Sequence, residues 1–400
     1  MKLRSRETYW LLKNGILNAY PSLRRSISCD VVVVGGGITG ALIAFQLSSE
    51  GYKTTLIDER DVSLGSTSAT TSLLQYELDE PLYSMIEKVG ERAAVDTYRQ
   101  GIQSIKKLEQ LVKSLNIDCD FATKESLYIA RTSRQFKWLR KEFECRKKFE
   151  LGVSWLTSDE LRNGYGVEGS GAILSDTAAS MDAYQLAHFL LDYSMKHYGL
   201  EIYDHTPMEK VNYEGDHSVL STGFAKITAK HVVYATGYET QGFLKDKIVD
   251  LISTYAFISE PLQEIPSAIR NTLFWDTEDP YLYTRTTSDN RILVGGCDVK
   301  FKNAERRDLL IEKKEKDLEK KFATLIPGIS LIPDFSWAGT FGVTKDALPY
   351  MGKHPDFPNS YFVLGFGGNG ITFSVMGMEI ISDALKGKHN KFLEYFRFGR

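Results

Sequence analysis

One stretch near the start of the 400-residue chain limits the fold more than any other. Cys29-Asp30-Val31-Val32-Val33-Val34 is rich in β-branched residues and reads as a strand buried on both faces. Gly35-Gly36-Gly37-Ile38-Thr39-Gly40 follows it directly. Residues 41–50 then read as a helix with Leu42, Phe45 and Leu47 apolar, closed by Gly51. Residues 52–57 read as a second strand that ends at Asp58. This β-α-β unit predicts an α/β protein with a Rossmann-like domain.

The glycines have separate tasks. Gly35 makes the tight turn, Gly37 lets the backbone approach a pyrophosphate, and Gly40 lets the helix pack on the strand. A helix N-terminus presents free N–H groups and a positive dipole end to phosphates. Gly35, Gly37, Ile38, Thr39 and Gly40 are therefore expected around a dinucleotide. Asp58 stands 21 residues past Gly37, where an acid is expected to hold a ribose hydroxyl, with Glu59 beside it. An acid rather than a base there disfavours a 2′-phosphate. A ligand-free glycine turn is the alternative reading, and the strand, helix and acid around the glycines weigh against it.

Three further features point from nicotinamide toward FAD. Residues 65–72, Gly-Ser-Thr-Ser-Ala-Thr-Thr-Ser, put small hydroxyl groups just after the second strand. His231 to Tyr234 reads as a strand running into the turn Ala235-Thr236-Gly237. Gly365-Phe366-Gly367-Gly368-Asn369-Gly370 follows a strand at 361–364 and opens a helix with Ile371, Val375, Met378, Ile381 and Leu385 on one face. A flavin uses such a second helix N-terminus, because its reduced ring carries negative charge at the pyrimidine edge.

The rest of the chain alternates between the two periodicities. Helices are predicted over 91–115, 183–198 and 304–325, the last stopped by Pro327. Strands are predicted at 126–130, 200–203, 208–213, 218–222 and 231–234, with a β-rich block over 253–298. No repeat or flexible linker separates these blocks, so two interleaved domains are expected. Residues 29–85, 170–245 and 336–400 form the FAD-binding domain. Residues 86–169 and 246–335 form a substrate domain of antiparallel sheet plus helices, and 1–28 form an N-terminal arm.

Composition agrees with a globular chain: 42% hydrophobic, 25% charged, 12% aromatic. The net charge of −3 gives no reason to expect a nucleic-acid partner. Cys29, Cys119, Cys145 and Cys297 lie far apart, and no HxxH or HExxH spacing occurs. Neither a metal site nor a disulfide framework is expected, and the location is read as cytoplasmic, with no transmembrane segment.

In this order the blocks resemble the FAD-dependent D-amino-acid oxidase, glycine oxidase and sarcosine oxidase superfamily. The resemblance extends from about Asp30 onward, and its more specific part is Trp337-Ala338-Gly339, Asp346, Pro349 and Gly367-Gly368-Asn369-Gly370. It implies that Ser66, Thr67, Thr70, Thr71 and Leu73 line the flavin, that Val211 contacts the adenine end, and that Gly368, Asn369, Gly370, Ile371 and Thr372 meet the pyrimidine edge. Ala235, Gly237 and Gly367 join the cofactor set. Relatives of the sarcosine type attach flavin through a cysteine in the block around 339–344. None stands here, so the FAD is expected to be noncovalent. The strand 292–294 lacks the lysine those relatives use toward oxygen, which leaves the electron acceptor, oxygen or another, open.

On the substrate side, Tyr281, Tyr283 and Arg285 alternate onto one face of a strand. Arginine between tyrosines suits a carboxylate, and a surface ion pair is the plainer alternative. The resemblance implies that Arg285 binds the substrate carboxylate, with Tyr283 and Tyr255 as further catalytic candidates. The expected reaction is oxidation of the C–N bond of an amino acid or carboxylate-bearing amine. A 2-hydroxy acid or polyol dehydrogenase, and a flavin-binding sensor without catalysis, are the alternatives.

Overall fold

Valine side chains at 31–34 alternate between two apolar layers, and this places their strand at the centre of a sheet. The computed structural model describes residues 2–5 and 7–400. Ile27–Val34 lies between Lys226–Tyr234 and Thr54–Ile57, parallel to both. Phe357–Leu364 and Glu201–Tyr203 extend the parallel set outward, and Tyr350–His354 closes one edge antiparallel. The hairpin of Met208–Glu214 and His217–Thr222 hangs from Lys226–Tyr234, completing eight strands. Val31 and Val33 face the layer that holds Leu42, Leu47, Leu186, Leu190 and Ile380 of three helices. Val32 and Val34 face the opposite layer with Leu220, Ile227 and Phe362.

The first of those helices runs Ile38–Ser49, three residues earlier than the apolar spacing indicated. Its first turn is the glycine segment itself, with Gly37 as N-cap. The helix mouth thus lies where a phosphate is expected. The Gly370–Leu385 helix packs against it, joined by the Thr39 and Ser374 hydroxyls at 2.7 Å.

A second, nine-stranded sheet holds the rest. Its path runs Pro333–Val343, Asp250–Ser259, Ile292–Lys300, Leu282–Thr286, Thr272–Asp276, Ala122–Ala130, Gly171–Ser180 and Leu73–Leu74, with Val153–Thr157 paired to Gly171–Ser180. Two strands cross the boundaries expected from the sequence. Gly171–Ser180 and Pro333–Val343 were assigned to the cofactor domain from 170 and 336, but both are strands of this second sheet. Both carry hydrophobic residues compatible with either sheet, so their composition could not decide the pairing.

Two helices also differ. Residues 304–325 form two helices, Ala304–Leu309 and Ile311–Leu325, with Leu310 between them. Ser133–Lys148 is a helix that the periodicity did not reveal. Its inward face mixes Leu139 and Phe143 with the ion pair Glu142–Arg146, both fully buried. The charges belong to the core: Glu142 also accepts the N–H groups of Leu82 and Tyr83. A hydrophobic pattern cannot report such a face.

The N-terminal arm is packed. Ser5 N–H donates to Ala338 O at 2.9 Å, and Thr340 N–H donates to Leu3 O at 2.8 Å, so the arm borders Pro333–Val343. The short helix Tyr9–Asn14 follows, with Trp10 buried against Ile258, Leu293 and Trp337. No helix among the described residues is long and apolar enough to cross a membrane.

Candidate active site

Both sheets contribute to one elongated cavity of about 530 Å3, within the range typical of small-molecule sites. At one end lie Asp58, Glu59, Thr206 and Met208; at the other lie Tyr281, Tyr283, Trp275 and Asp79. The glycine loop lies along its wall. Gly35 adopts φ +107°, and a Cβ there would stand 2.5 Å from the Ala235 carbonyl oxygen. A Cβ on Gly40 would stand 1.8 Å from the Gly35 carbonyl oxygen. Gly40 therefore lies off the cavity and serves as the close-packing position, while Gly35, Gly37, Ile38 and Thr39 line the cavity.

Asp58 supports this loop as well as facing the cavity. Its carboxylate accepts Gly36 N–H at 2.7 Å and Arg60 N–H at 2.9 Å. Burial pushes its pKa up to about 6 despite these bonds. Arg60 is paired with Glu59 and Glu239 at the same end.

The hydroxyl loop is held from four directions. Arg4 Nε donates to Leu64 O, Trp337 Nε1 to Ala69 O, Trp10 Nε1 to Thr70 O and Arg285 Nε to Thr71 O, over 2.6–2.9 Å. Fixed in this way, Ser66, Thr67, Thr70, Thr71 and Leu73 all line the cavity. Thr67 Oγ1 also accepts Ile38 N–H at 2.9 Å and so joins the loop to the helix mouth. Ala235 and Gly237 line the cavity from the end of Lys226–Tyr234.

The second glycine loop forms the opposite wall. Gly367, Gly368, Asn369, Gly370 and Ile371 line the cavity, and the Gly370–Leu385 helix starts there without a side-chain cap. Its free N–H groups are available to an electron-rich ring edge. Asn369 Nδ2 ties the loop to Gln75 O and Glu77 O at 3.1 and 2.8 Å.

Four expectations change. Val211 does not line the cavity: it pairs with Leu220 inside the hairpin, and Thr206 and Met208 occupy the adenine-side wall. Thr372 does not line it either, because its hydroxyl turns back to Gln75 O at 3.1 Å. Tyr255 contributes to the lining, but its hydroxyl is sealed from solvent, so it has no place as a catalytic group. Arg285 is 2% exposed and also absent from the lining. Its guanidinium donates to the carbonyls of Thr71, Thr286 and Met181 at 2.6, 3.2 and 3.0 Å. In this position it braces the hydroxyl loop from outside the cavity.

Tyr281 and Tyr283 do face the cavity. Gly295 makes this possible for Tyr283: the two residues are cross-strand partners, and any Cβ on Gly295 would collide with the ring. Several functional positions escaped the sequence reading. Asp79, Trp275, Trp10 and Met208 sit in no motif, and only tertiary folding brings them to the site. Away from the cavity, ligand atoms of Asp61, Asp204 and His205 lie within 4.8 Å of one another. A His205–Asp61 contact at 3.2 Å and the Tyr20 N–H on Asp204 account for that grouping.

A dinucleotide cradle that opens into an aromatic chamber, with two helix mouths aimed along it, defines a flavin-type oxidoreductase. FAD fits these residues: both helix mouths on the lining are glycine loops without a cap from the N-cap side chain, and Gly35 takes a backbone conformation and a close approach to Ala235 that leave no room for a Cβ. The sequence matches the family described as DAO, FAD dependent oxidoreductase, over residues 30–384, and the chain belongs to it. It is 26% identical over 384 residues to glycine oxidase of Bacillus subtilis (strain 168), covering 93% of this chain and 97% of that one. Gamma-glutamylputrescine oxidoreductase of Escherichia coli (strain K12) is 24% identical over 392 residues, covering 93% and 87%. The fold matches the crystal structure of glycine oxidase from Geobacillus kaustophilus with a TM-score of 0.79 at 22% identity, covering 93% and 99%.

None of the four cysteines lines the cavity. Acid precipitation of the holoenzyme is accordingly expected to release the flavin into the supernatant. Flavin retained in the washed pellet would contradict noncovalent binding.

Proposed function

We propose that this protein oxidises the C–N bond of an amine or amino acid. The observation that carries the reading is the single cavity that joins the dinucleotide cradle to an aromatic, acid-edged end. The relatives' names, glycine oxidase and gamma-glutamylputrescine oxidoreductase, support a nitrogen compound as substrate. When bound, FAD supplies the two-electron acceptor. The chain's own residues position and desolvate the substrate. Tyr281, Tyr283 and Trp275 wall the chamber against water, and the Tyr283 hydroxyl reaches Thr254 Oγ1 at 3.4 Å. Burial raises both tyrosine hydroxyls well above their usual range, so they stay neutral hydrogen-bond donors.

The amine reacts in its neutral form. Its carbon loses a hydrogen and two electrons, the nitrogen lone pair forms the C=N bond, and water then splits the imine into a carbonyl compound and ammonia or a smaller amine. With oxygen as acceptor, the electrons leave as hydrogen peroxide. Any carboxylate-bearing substrate, 2-hydroxy acid or amino acid alike, calls for an anion-binding group at the substrate end, so the lining favours an amine without one. Arg60 is the one basic side chain lining the cavity among the described residues, and it is paired at the opposite end. Free, widely separated cysteines support placing the protein in the cytoplasm.

Turnover with oxygen or a quinone acceptor, followed by mass spectrometry, tests the reaction class. One carbonyl product and one nitrogen leaving group per two electrons is expected. A keto acid formed from a hydroxy acid without nitrogen release would overturn the reading.

A further inference from the structure

The substrate end of the cavity holds negative charge without a positive partner. Asp79 lines the cavity and is exposed within it. It accepts Gly368 N–H at 3.3 Å, yet it forms no ion pair among the described residues. Asp298 lies one layer behind the lining, supported by the Thr254 hydroxyl. Its Oδ1 is shut away from solvent with no hydrogen-bond partner. Cations in the region are committed elsewhere: Arg146 pairs with Glu142 and with Glu77, an acid that also lines the cavity. Arg307 donates to Lys2 O and Thr340 Oγ1, and Lys314 sits over the Tyr255 ring at 5.7 Å; neither lines the cavity. Arg285, the one arginine on the substrate strand, is spent on three carbonyls.

Two aromatic faces complete the chamber. The Tyr281 and Tyr283 rings have centroids 5.7 Å apart, are inclined at 42°, and border the same space as Asp79. Carboxylate and tyrosine faces around one space make a receptor for a cation, since the ring faces and the acid attract the same charge. The same surroundings repel a carboxylate.

We propose that this chamber receives a positively charged, carboxylate-free head group, the second ammonium of a diamine- or polyamine-type substrate, held between Asp79 and the faces of Tyr281 and Tyr283. The inference rests on the amine-oxidising reading for the chemistry at the flavin, but its binding claim is separable from it. The acid behind it adds to this: desolvation pushes Asp298 up to about 7. An arriving ammonium supplies the missing counter-charge.

The test uses flavin-loaded enzyme and small probe ions that cannot be oxidised at a C–N bond. Tetramethylammonium is titrated in parallel with acetate, read by the shift of the flavin absorption band. Tetramethylammonium is expected to give a saturable shift and acetate none. Asp79→Asn is expected to weaken the cation by about tenfold or more while flavin stays bound. Should Asp79→Asn fail to hold flavin, Asp298→Asn serves instead, with a severalfold weakening expected. A saturable acetate shift without a tetramethylammonium shift would overturn the proposal, as would variants that bind the cation like the wild type. Because neither probe is a substrate, this outcome is read separately from turnover. Amino-acid oxidation with diamines inert would sink the cationic chamber and leave C–N oxidation standing.

Discussion

Gly40→Ala is expected to yield a colourless protein that does not retain FAD. The added Cβ would stand 1.8 Å from the Gly35 carbonyl oxygen and 3.0 Å from its carbon. Both obstacles are backbone, so no rotamer change relieves them. Gly35 cannot yield either, because it is hydrogen-bonded to Ile57 O at 2.8 Å and abuts the Ala235 carbonyl. The helix Ile38–Ser49 must therefore move away from the strand, and its first-turn N–H groups leave the phosphate path. Losing two charge-assisted hydrogen bonds costs about 3–6 kcal/mol, or about two to four orders of magnitude in affinity. The check is the flavin-to-protein absorbance ratio after purification, with circular dichroism showing a folded chain. A yellow Gly40→Ala protein with wild-type flavin content would refute the cradle.

Arg285→Met separates two accounts of the same residue. If Arg285 clamped a substrate carboxylate, its loss would raise the Michaelis constant and spare flavin. The structure gives the opposite expectation. Three carbonyls, those of Thr71, Thr286 and Met181, lose a charged donor, and Thr71 belongs to the flavin loop. Each such bond contributes about 1.5–3 kcal/mol, partly offset because burying this guanidinium is itself unfavourable. That cost shows in its pKa, pulled down to about 10 by desolvation. A net destabilisation of about 2–4 kcal/mol is expected, with lowered flavin retention. Thermal melts and flavin content measure both. The fraction that keeps flavin should have a near-normal Michaelis constant, and a strongly raised one with full flavin content would restore the clamp.

The comparison of these two residues also shows what could be read in the chain. The cofactor half is encoded locally: the Val31–Val34 strand, the Gly35–Gly40 turn and Asp58 are contiguous, and their geometry follows from steric rules at adjacent positions. The alternation places Tyr281, Tyr283 and Arg285 on one strand face; the strand itself is Leu282–Thr286, and Tyr281 and Tyr283 line the cavity. The alternation could not tell that the strand passes from the cavity, at Tyr281 and Tyr283, to the underside of the flavin loop, at Arg285. That depends on the N-terminal arm, whose Trp10 lies against the Arg285 guanidinium at 5.2 Å. Asp79 and Asp298 were invisible for the same reason. An acid in an unremarkable segment gains meaning only when folding brings it to a cavity without a counter-charge. The buried face of Ser133–Lys148 hid itself similarly, since Glu142 and Arg146 read as surface charge.

The central claim is that one cavity holds FAD against an amine. It is tested most directly by mixing the holoenzyme anaerobically with diamines, amino acids and 2-hydroxy acids while following the visible flavin band. Rapid bleaching by amines, with diamines the most effective and hydroxy acids inert, is the expected result. Bleaching by hydroxy acids alone, or by none of the three classes, would contradict it.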